Sequence, residues 1–580
     1  MLSYIALFSL TIGLANSAAI AEPPKKTTPS CRNIPGDAGW PAAAEWDRLN
    51  TTVEGRLIST IPIAHVCHEP SFSDAQCTSL TQQWDVPELL TTKPAEILHP
   101  WFQNQSCVPF TPQSAPCELG NYASYSISVS NIDDIKAGLA FAEEHNIRLV
   151  IKNTGHDYFG KSTGKGALSL WTHNLDSMEV LPAYNSSYYH GPAFKIGAGV
   201  QGGAAGEFAA KRGYRFVVGN CPDVGVAGGY TQGGGHSLLT GLYGLAAENV
   251  LEWEVVTASG QHLVASPTQN TDLYWALSGG GAGTYAVVVS LTTRLFTDGK
   301  IAGSSLSFGV ETIGSVDEYW GAVDIFISHL QGLVDDHGMV AAFMISNSTL
   351  DLYSIMAPGN TSDELTTLMT PMVTALEKKG AKSLGVNTTD AQTYFDLYSA
   401  TLEPIVAPNP LSPVMGGRFV SRKNMASNKS KIISSMRAAT EGGKFWLACT
   451  ALSTKSAVRM VDPVASNAAQ PAFSDAFLSM IVGAAWSWSR PWPEVAQLQD
   501  ELIGEVMPVL EGATPGADAY VNEANWQQEN WQQVFYGANY NRLRAIKTAH
   551  DPHDLFYGLT SVGSEAWSAD ADGRLCKTGL

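Results

Sequence analysis

The chain has 580 residues, of which 44% are hydrophobic and 15% charged, and its formal net charge is −19 at pH 7. This length exceeds the roughly 250 to 300 residues at which single cores stop growing, so at least two domains are expected. The negative charge argues against binding to nucleic acid or to an anionic membrane, because both need a basic face.

The first 21 residues have the pattern of a secretory signal peptide. An apolar stretch from Tyr4 to Leu14 is followed by Ala19-Ile20-Ala21, whose small residues at alternate positions are typical of a cleavage site. No Lys or Arg precedes the stretch, so an uncleaved anchor is the alternative, although the stretch is short for a membrane span. We therefore expect residues 1–21 to be removed and the mature protein to be secreted.

The cysteines indicate an oxidising compartment. Six of them suggest three disulfides, with two close pairs in an N-terminal extension (22–118) and a bridge between the chain ends: Cys67–Cys77, Cys107–Cys117 and Cys31–Cys576. Other pairings stay open, because six cysteines allow 15. Cys449 lies in an apolar run and is expected to be buried, which leaves Cys221 as the unpaired thiol to explain. Export also fits seven candidate glycosylation acceptors: Asn50, Asn104, Asn185, Asn347, Asn360, Asn387 and Asn428.

From Ser124 onward, the sequence predicts a strand–helix–strand unit. The strands cover Tyr125 to Ser130 and Arg148 to Lys152, and the helix between them runs from Asn131 to His145. Further strands are predicted over residues 167–171, 194–199, 250–257 and 284–296, and a helix over residues 201–212. This pattern indicates an α+β nucleotide-binding domain over residues 119–300.

Beyond residue 300 the glycine loops become rare and longer helices appear. Helices are predicted over residues 316–333, 362–379 and 391–401, with strands over 339–345 and 477–488. We assign residues 301–510 to a second domain and residues 511–580 to a C-terminal segment that returns to the first. This segment contains a predicted helix from Trp531 to Ala549 that stops at Asp551-Pro552.

Two glycine-rich loops carry the residues that indicate chemistry. Gly155-His156-Asp157 follows a predicted strand, and its loop could surround a pyrophosphate with bare backbone N–H groups. A histidine in such a loop is more often a hydrogen-bonding turn residue than a reactive one. The second loop contains Cys221, and the two loops together favour a functional site.

Several longer segments carry a family resemblance: Gly219 to Val250, Leu277 to Gly283, Phe535 to Leu543 and Asp551 to Phe556. With these segments the chain resembles the berberine bridge enzyme-like branch of the vanillyl-alcohol oxidase family, and most closely its secreted fungal, isoamyl alcohol oxidase-like members. The resemblance implies an α+β fold with a PCMH-type FAD-binding domain and a substrate domain built on an antiparallel sheet flanked by helices.

The resemblance also implies that FAD is held by two covalent bonds, from His156 to the 8α carbon and from Cys221 to carbon 6 of the ring. An imidazole nitrogen and a thiolate are nucleophiles suited to an electron-poor flavin. Ten other residues are implied to bind the cofactor: Asn153, Thr154, Gly155, Asp157, Gly228, Gly229, Gly233, Gly234, Asn249 and Val250. Lys152 stands near where relatives carry Arg, which keeps the charge but not the bidentate fork.

The catalytic base is ambiguous in the sequence. Relatives often carry a Tyr within an Asn-Tyr-x-Asp segment, and here Glu523 takes the place of that Tyr while Asn525 replaces the Asp. Glu523 could act as a base if burial raises its pKa, or it could make structural hydrogen bonds only. Tyr520 is the second candidate.

Two other patterns in the sequence resemble functional motifs but lack the context that such motifs need. Gly197 to Gly202 formally matches a dinucleotide fingerprint, but Asp223 lies in a Cys-Pro-Asp-Val-Gly turn and not at the end of a second strand. His65 with His68, and His550 with His553, lack the partner cluster that a metal needs, so no metal is predicted.

These observations predict a secreted, monomeric FAD-dependent oxidase. A CH–OH group of a small alcohol or carbohydrate would give hydride to flavin N5, a base would take the hydroxyl proton, and O2 would accept the electrons to form H2O2. The alternatives are a flavin-dependent oxidative cyclase or oxygenase of secondary metabolism, and a catalytically degenerate flavin-binding protein.

Overall fold

The computed structural model describes residues 31–406, 412–570 and 572–579, so the predicted signal peptide lies outside the described residues. The N-terminal extension contains α1 (Ala43–Thr52), β1 (Leu57–Ser59), α2 (Asp74–Gln83), α3 (Pro87–Thr91) and α4 (Pro100–Gln103). The three predicted disulfides are confirmed. Cys221 and Cys449 are free thiols, and Cys449 is buried as expected.

The predicted strand–helix–strand unit is present. It consists of β2 (Tyr125–Ser128), α5 (Ile132–Glu144) and β3 (Leu149–Lys152), and β4 (Leu168–Trp171) follows. The side chain of Asn131 caps α5 by accepting the backbone N–H groups of Asp133 and Asp134. The strands form a sheet in the order β1-β2-β4-β3, in which β4 is parallel to both β2 and β3. This arrangement places the Gly155-His156-Asp157 loop directly after β3.

A five-stranded sheet completes the glycine-rich half of the chain. Its elements and their neighbours are β5 (Met178–Asn185), β6 (His190–Gly197), α6 (Gly202–Ala210), β7 (Tyr214–Arg215), α7 (Thr240–Tyr243), β8 (Val250–Val256), β9 (His262–Ala265), α8 (Thr271–Leu277), β10 (Val287–Arg294) and β11 (Phe296–Thr297). The antiparallel order is β5-β6-β10-β8-β9. The fingerprint-like segment after β6 thus leads into α6 from an antiparallel sheet, not from the parallel strand of a dinucleotide-binding unit.

A seven-stranded antiparallel sheet dominates the second half. Its elements and their neighbours are β12 (Ile301–Gly309), α9 (Val310–Ile313), α10 (Val316–His337), β13 (Val340–Ile345), β14 (Thr349–Pro358), α11 (Ser362–Lys379), β15 (Asn387–Ala391), α12 (Tyr394–Thr401), α13 (Glu403–Val406), β16 (Met415–Ser421), α14 (Arg422–Thr440), β17 (Phe445–Ala451), β18 (Ala476–Ala484), α15 (Trp492–Glu501) and α16 (Met507–Ala513). The strand order is β15-β12-β14-β13-β17-β18-β16.

The two faces of this sheet pack against different partners. Along β13, Ala341 and Phe343 join the core formed with α10, α11 and α14, whereas Val340 and Ala342 face the core of the glycine-rich half. Such alternation follows from the two-residue period of a strand. The expected α+β fold with an antiparallel, helix-flanked sheet is therefore confirmed, while the exact boundaries 119–300 and 301–510 stay predictions.

The tail differs from its prediction. A π-helical turn (Gln532–Tyr536) and a 3-10 turn (Gly537–Asn539) precede α17 (Tyr540–His550), and β19 (Trp567–Ala569) pairs with β20 (Leu575–Lys577). The prediction of one helix from Trp531 was wrong, because Gly537 has a φ of 54°, which interrupts a right-handed helix. The predicted start of a helix at Ala391 was also wrong, since that residue ends β15.

Within the described ranges, none of the helices combines the length and the apolar character that spanning a bilayer requires.

Candidate functional site

A cavity of about 880 Å³ is lined by the glycine loops, the C-terminal segment and the seven-stranded sheet. Ten of the predicted site residues line it: Asn153, Thr154, Gly155, His156, Asp157, Cys221, Gly228, Gly229, Tyr520 and Glu523. The structure thus brings together one histidine, one cysteine and the two candidate bases, which come from three distant parts of the sequence.

His156 contacts an aspartate from the second glycine loop. Its Nε2 atom lies 2.8 Å from Oδ2 of Asp223, and the two side chains are 12% and 14% exposed. The contact falls short of full hydrogen-bond geometry, and neither atom has another polar partner among the described residues. The carboxylate of Asp223 therefore lies beside Nε2 of His156, and it does not contact the second ring nitrogen, Nδ1.

Asp157 shapes the loop that carries His156. Its carboxylate accepts the backbone N–H groups of Phe159, Lys161 and Ser162, at 3.2, 2.6 and 3.1 Å. Three such bonds to one side chain fold the following residues back on themselves, as Asp does in turns. Asp157 is thus a structural member of the site.

Lys152 ends β3 just before this loop, and its side chain points into the protein interior. The residue is fully buried, and its Nζ donates to the carbonyl oxygen of Lys93 at 2.8 Å and lies 5.7 Å from the centre of the Trp171 ring. Burial lowers the pKa of Lys152 to about 7. The flat fork that the Arg of relatives would offer is replaced by one buried amine bonded to backbone.

Cys221 is a thiol held in a tightly fixed turn. Burial raises the pKa of Cys221 to about 12, and the negative charges of Asp223 and Glu523 add to this effect. The turn is fixed to the start of α6, where the N–H groups of Gly203 and Gly202 donate to the carbonyls of Pro222 and Val224 at 2.7 and 2.9 Å. The position of the sulfur is therefore set by the backbone of a helix N-terminus.

The glycines serve two purposes. A Cβ on Gly228 would come within 2.6 Å of the Asn153 side chain, and a Cβ on Gly233 would overlap the Asn522 amide, so these positions need glycine for close packing. Gly229 has no atom within 4 Å of an added Cβ and lies open to the cavity. It can therefore approach a bound group with its backbone.

Four predicted cofactor residues do not line the cavity. Asn249 is buried and donates to the carbonyls of Tyr243 and Leu245 at 2.9 and 2.8 Å, while its Oδ1 accepts from Arg294. Val250 begins β8, and Gly233 and Gly234 pack behind the lining. Their assigned roles stay predictions, and their contacts here are structural.

Glu523 is paired with a histidine that is not among the residues predicted from the sequence. Oε1 of Glu523 lies 2.9 Å from Nε2 of His236, and Oε2 lies 3.5 Å from the hydroxyl of Ser479. Burial lowers the pKa of His236, but the charge and hydrogen bond of Glu523 outweigh it, so the net shift is upward. Nδ1 of His236 is buried without a partner among the described residues. The Gly-Gly-Gly-His sequence was the one available signal for this residue.

Tyr520 has its hydroxyl oxygen already engaged. It accepts the N–H of Gly235 at 3.1 Å and the amide of Asn522 at 2.8 Å. Burial raises the pKa of Tyr520, and the charge of Glu523 adds to that. Of the two candidate bases, Tyr520 is thus held in its neutral form.

The seven-stranded sheet and the segment that follows β18 supply another part of the lining. The residues are mostly apolar or aromatic, with a few hydroxyls among them: Met344, Tyr353, Trp446, Ala448, Thr450, Ser479, Ile481 and Trp486. A largely apolar wall with a few polar groups is the usual form of a small-molecule site. In the described part of the chain, no three side chains of the metal-binding types converge.

The residues around the cavity fit a flavin dinucleotide. Buried polar atoms at the lining lack partners within the described ranges, among them Oδ1 of Asn153, Oδ1 of Asn220 and Oε1 of Gln232. Buried polar groups are normally hydrogen-bonded, so these atoms are suited to bind a polar ligand. Gly229 leaves room for that ligand, and His156 and Cys221 offer the two nucleophiles.

Comparisons with known proteins identify the family of this chain. Residues 123–266 match the family model described as an FAD binding domain, and residues 519–563 match the model described as berberine and berberine like. The chain is 44% identical over 570 residues to the bifunctional decalin synthase calF of Penicillium decumbens, covering 97% of this chain and 98% of that protein.

Solved structures extend the comparison. The VAO-type flavoprotein MtVAO615 from Myceliophthora thermophila C1 has a TM-score of 0.90 and 42% identity, covering 95% of this chain and all of that one. The glucooligosaccharide oxidase of Acremonium strictum, described with a 6-S-cysteinyl, 8α-N1-histidyl FAD, has a TM-score of 0.62 and 19% identity, covering 76% of this chain and 92% of that one. The latter shares the fold. The chain therefore belongs to the berberine bridge enzyme-like FAD-linked oxidoreductases of the vanillyl-alcohol oxidase family.

Proposed function

We propose that this protein is a secreted oxidase that binds FAD through covalent bonds to His156 and Cys221 and oxidises a CH–OH group of a small alcohol or carbohydrate, with O2 as electron acceptor and H2O2 as product. The observation that carries the proposal is the meeting of His156, Cys221 and the Glu523–His236 pair at one cavity. Three disulfides support an exported protein.

The flavin, when bound, supplies the hydride acceptor and the reaction with O2. The chain supplies the base. The carboxylate of Glu523 lies beside His236. We propose that this carboxylate receives the substrate hydroxyl proton. Tyr520 stays neutral, so its hydroxyl orients the Gly235 and Asn522 groups around the pair.

The sheet face shapes the substrate end of the cavity. Trp446, Ile481 and Met344 cover it with apolar surface, which excludes water from the reacting groups. Thr450 and Ser479 offer hydroxyls at the same wall. This arrangement suits a substrate that presents one hydroxyl to the Glu523 carboxylate and an apolar body to the sheet.

The proposal is tested first without any substrate. The purified protein is precipitated with acid, and the pellet is inspected for flavin absorbance. We expect the yellow colour to remain in the pellet, because covalent bonds survive acid. A colourless protein would reject the oxidase and favour a non-enzymatic role.

A panel of primary alcohols, secondary alcohols and oligosaccharides is then added under nitrogen. At least one compound should bleach the flavin, and air should restore the colour with one H2O2 per substrate oxidised.

A second function is favoured by one comparison. The relative with 44% identity is named a decalin synthase, so an oxidative cyclisation in secondary metabolism is the alternative within the same fold. Peroxide stoichiometry alone does not separate the two outcomes, so the product must also be identified. A product with a new ring would favour the cyclase, and a carbonyl product would favour the oxidase.

A further inference from the structure

The backbone that carries Asp223 is held by several hydrogen bonds, and its carboxylate lies against His156. Asp223 lies two residues after Cys221, in the turn that is bonded to the start of α6. Its carbonyl oxygen also accepts from the side chain of Gln201 at 3.2 Å. The carboxylate is therefore delivered to His156 by a rigid segment, and its Oδ2 has no polar partner other than the imidazole within the described residues.

The position of a carboxylate beside one ring nitrogen decides what the other nitrogen can do. A carboxylate at Nε2 favours the tautomer with its hydrogen on Nε2, which leaves the lone pair of Nδ1 available. The same arrangement orients catalytic and metal-binding histidines in other proteins. The other carboxylate of this loop, that of Asp157, is engaged by three backbone N–H groups.

We infer that Asp223 is the positioning residue for covalent attachment of the flavin to His156: its carboxylate, 2.8 Å from Nε2, favours the hydrogen on that nitrogen and so leaves Nδ1 to bond to the 8α carbon. This inference rests on the proposed function, since it requires that the flavin is bonded at His156. Asp223 itself forms no bond to the cofactor.

The attachment balances with O2 as oxidant. One C–H bond of the ring methyl group and the N–H bond of the imidazole are exchanged for one C–N bond. Two protons and two electrons are released in total, and O2 takes them up as H2O2. Bonding at Nδ1 leaves a cationic imidazole, whose Nε2–H gives its proton to the Asp223 carboxylate and on to solvent. This proton and the one from the methyl C–H bond are the two that H2O2 takes up.

The bond between the flavin and Cys221 separates a positioning role of Asp223 from a merely structural one. Asp223 raises the pKa of the Cys221 thiol, after burial as the larger cause, so removing its charge does not hinder thiolate formation. If Asp223 served only to hold the turn, its loss would displace Cys221 as well. Loss of the histidyl bond with retention of the cysteinyl bond is therefore the diagnostic result.

The experiment compares the full-length wild type with Asp223→Asn and with the control Asp176→Asn. Asp176 is an exposed aspartate of the same half of the chain, and its substitution removes the same charge away from the cavity. Each protein is produced with its flavin, digested and analysed by mass spectrometry for the peptides that carry His156 and Cys221. Thermal unfolding checks that the variants are folded.

In the wild type and in Asp176→Asn, we expect the two peptides to be cross-linked through one flavin. In Asp223→Asn, we expect the fraction of flavin bonded to His156 to fall by about tenfold or more, the scale on which loss of a group that orients a histidine acts. The Cys221 peptide should still carry flavin. If Asp223→Asn does not fold, Asp223→Ala takes its place, since it removes the acceptor without adding an amide.

Two results would overturn the inference. One is wild-type attachment at His156 in the variant, and the other is a parallel loss of both bonds in a folded variant. A wild type with neither peptide modified would instead reject the proposed covalent flavin, so failure of the inference and failure of the proposed function are distinguishable.

Discussion

Glu523 shows how a single side chain acquires its chemistry from a partner far away in the sequence. The resemblance implies a tyrosine at this position, and the substitution alone left a base and a structural role equally open. The carboxylate lies against His236, 287 residues earlier, at the wall of the cavity. A carboxylate hydrogen-bonded to an imidazole at a water-poor wall can take up a proton, and this is the role that we propose for Glu523.

Glu523→Gln should leave the flavin attached but slow its reduction. The amide cannot accept the hydroxyl proton, and loss of a general base typically lowers the rate by about 10² to 10⁴-fold. The measurement is the rate of anaerobic flavin bleaching by the best substrate of the panel. Glu501→Gln is the control, because Glu501 pairs with Lys444 on the surface. An unchanged bleaching rate in Glu523→Gln would assign the base elsewhere.

The same pair should make stability depend on pH. The pKa of His236 is raised in the folded state from its ordinary value of 6.5, because the charge and hydrogen bond of Glu523 outweigh the opposing effect of burial. The stabilisation is therefore fully present below pH 6.5 and is lost as the pH rises through the higher folded pKa. The melting temperature of wild type minus that of Glu523→Gln should be larger at about pH 5.5 than at about pH 8.5. A difference that grows with pH would contradict this pairing.

At the scale of elements, β16 supports the segment that carries Glu523. A Cβ on Gly417 would overlap the carbonyl oxygen of Glu523, so the chain after Tyr520 lies directly on this strand. Because Gly417 has no side chain, the backbone of Glu523 can lie directly against β16. This is a requirement of close packing and not of backbone conformation.

Gly417→Ala should therefore reduce both stability and substrate oxidation. Overpacking of this kind lowers the free energy of unfolding by about 1 to 3 kcal/mol. The matched control is Gly512→Ala in α16, an exposed helical position with nothing within 4 Å of the added Cβ. That change should raise the free energy of unfolding by about 0.5 to 1 kcal/mol. Denaturant unfolding measures both, and equal effects of the two variants would refute the packing argument.

At the scale of the whole molecule, the chain is closed by a covalent bond between its ends. Cys31 and Cys576 are separated by 545 residues, whereas Cys67 and Cys77 are separated by 10. Cross-links that close longer loops restrict the unfolded chain more. The tail also carries Glu523 and α17 back to the glycine-rich half, so the bond secures the segment that completes the site.

Replacing Cys31 and Cys576 together by Ser should lower the melting temperature more than replacing Cys67 and Cys77 together. The loss expected for the long loop is about 2 to 5 kcal/mol in the free energy of unfolding, and the short loop should give less. Thermal unfolding of the two double variants measures the difference. A larger effect of the short loop would show that local strain, not chain closure, dominates.

The sequence by itself determined the local features of this protein. Glycine spacing located the loops of His156 and Cys221, hydrophobic period placed most strands and helices, and cysteine spacing indicated the two short disulfides, because each of these patterns is encoded within a few residues. The tertiary structure alone decided the pairs Glu523–His236 and His156–Asp223 and the helix break at Gly537. Those features depend on how distant segments of the chain pack against each other. The hydrophobic pattern within one segment carries no information about such contacts.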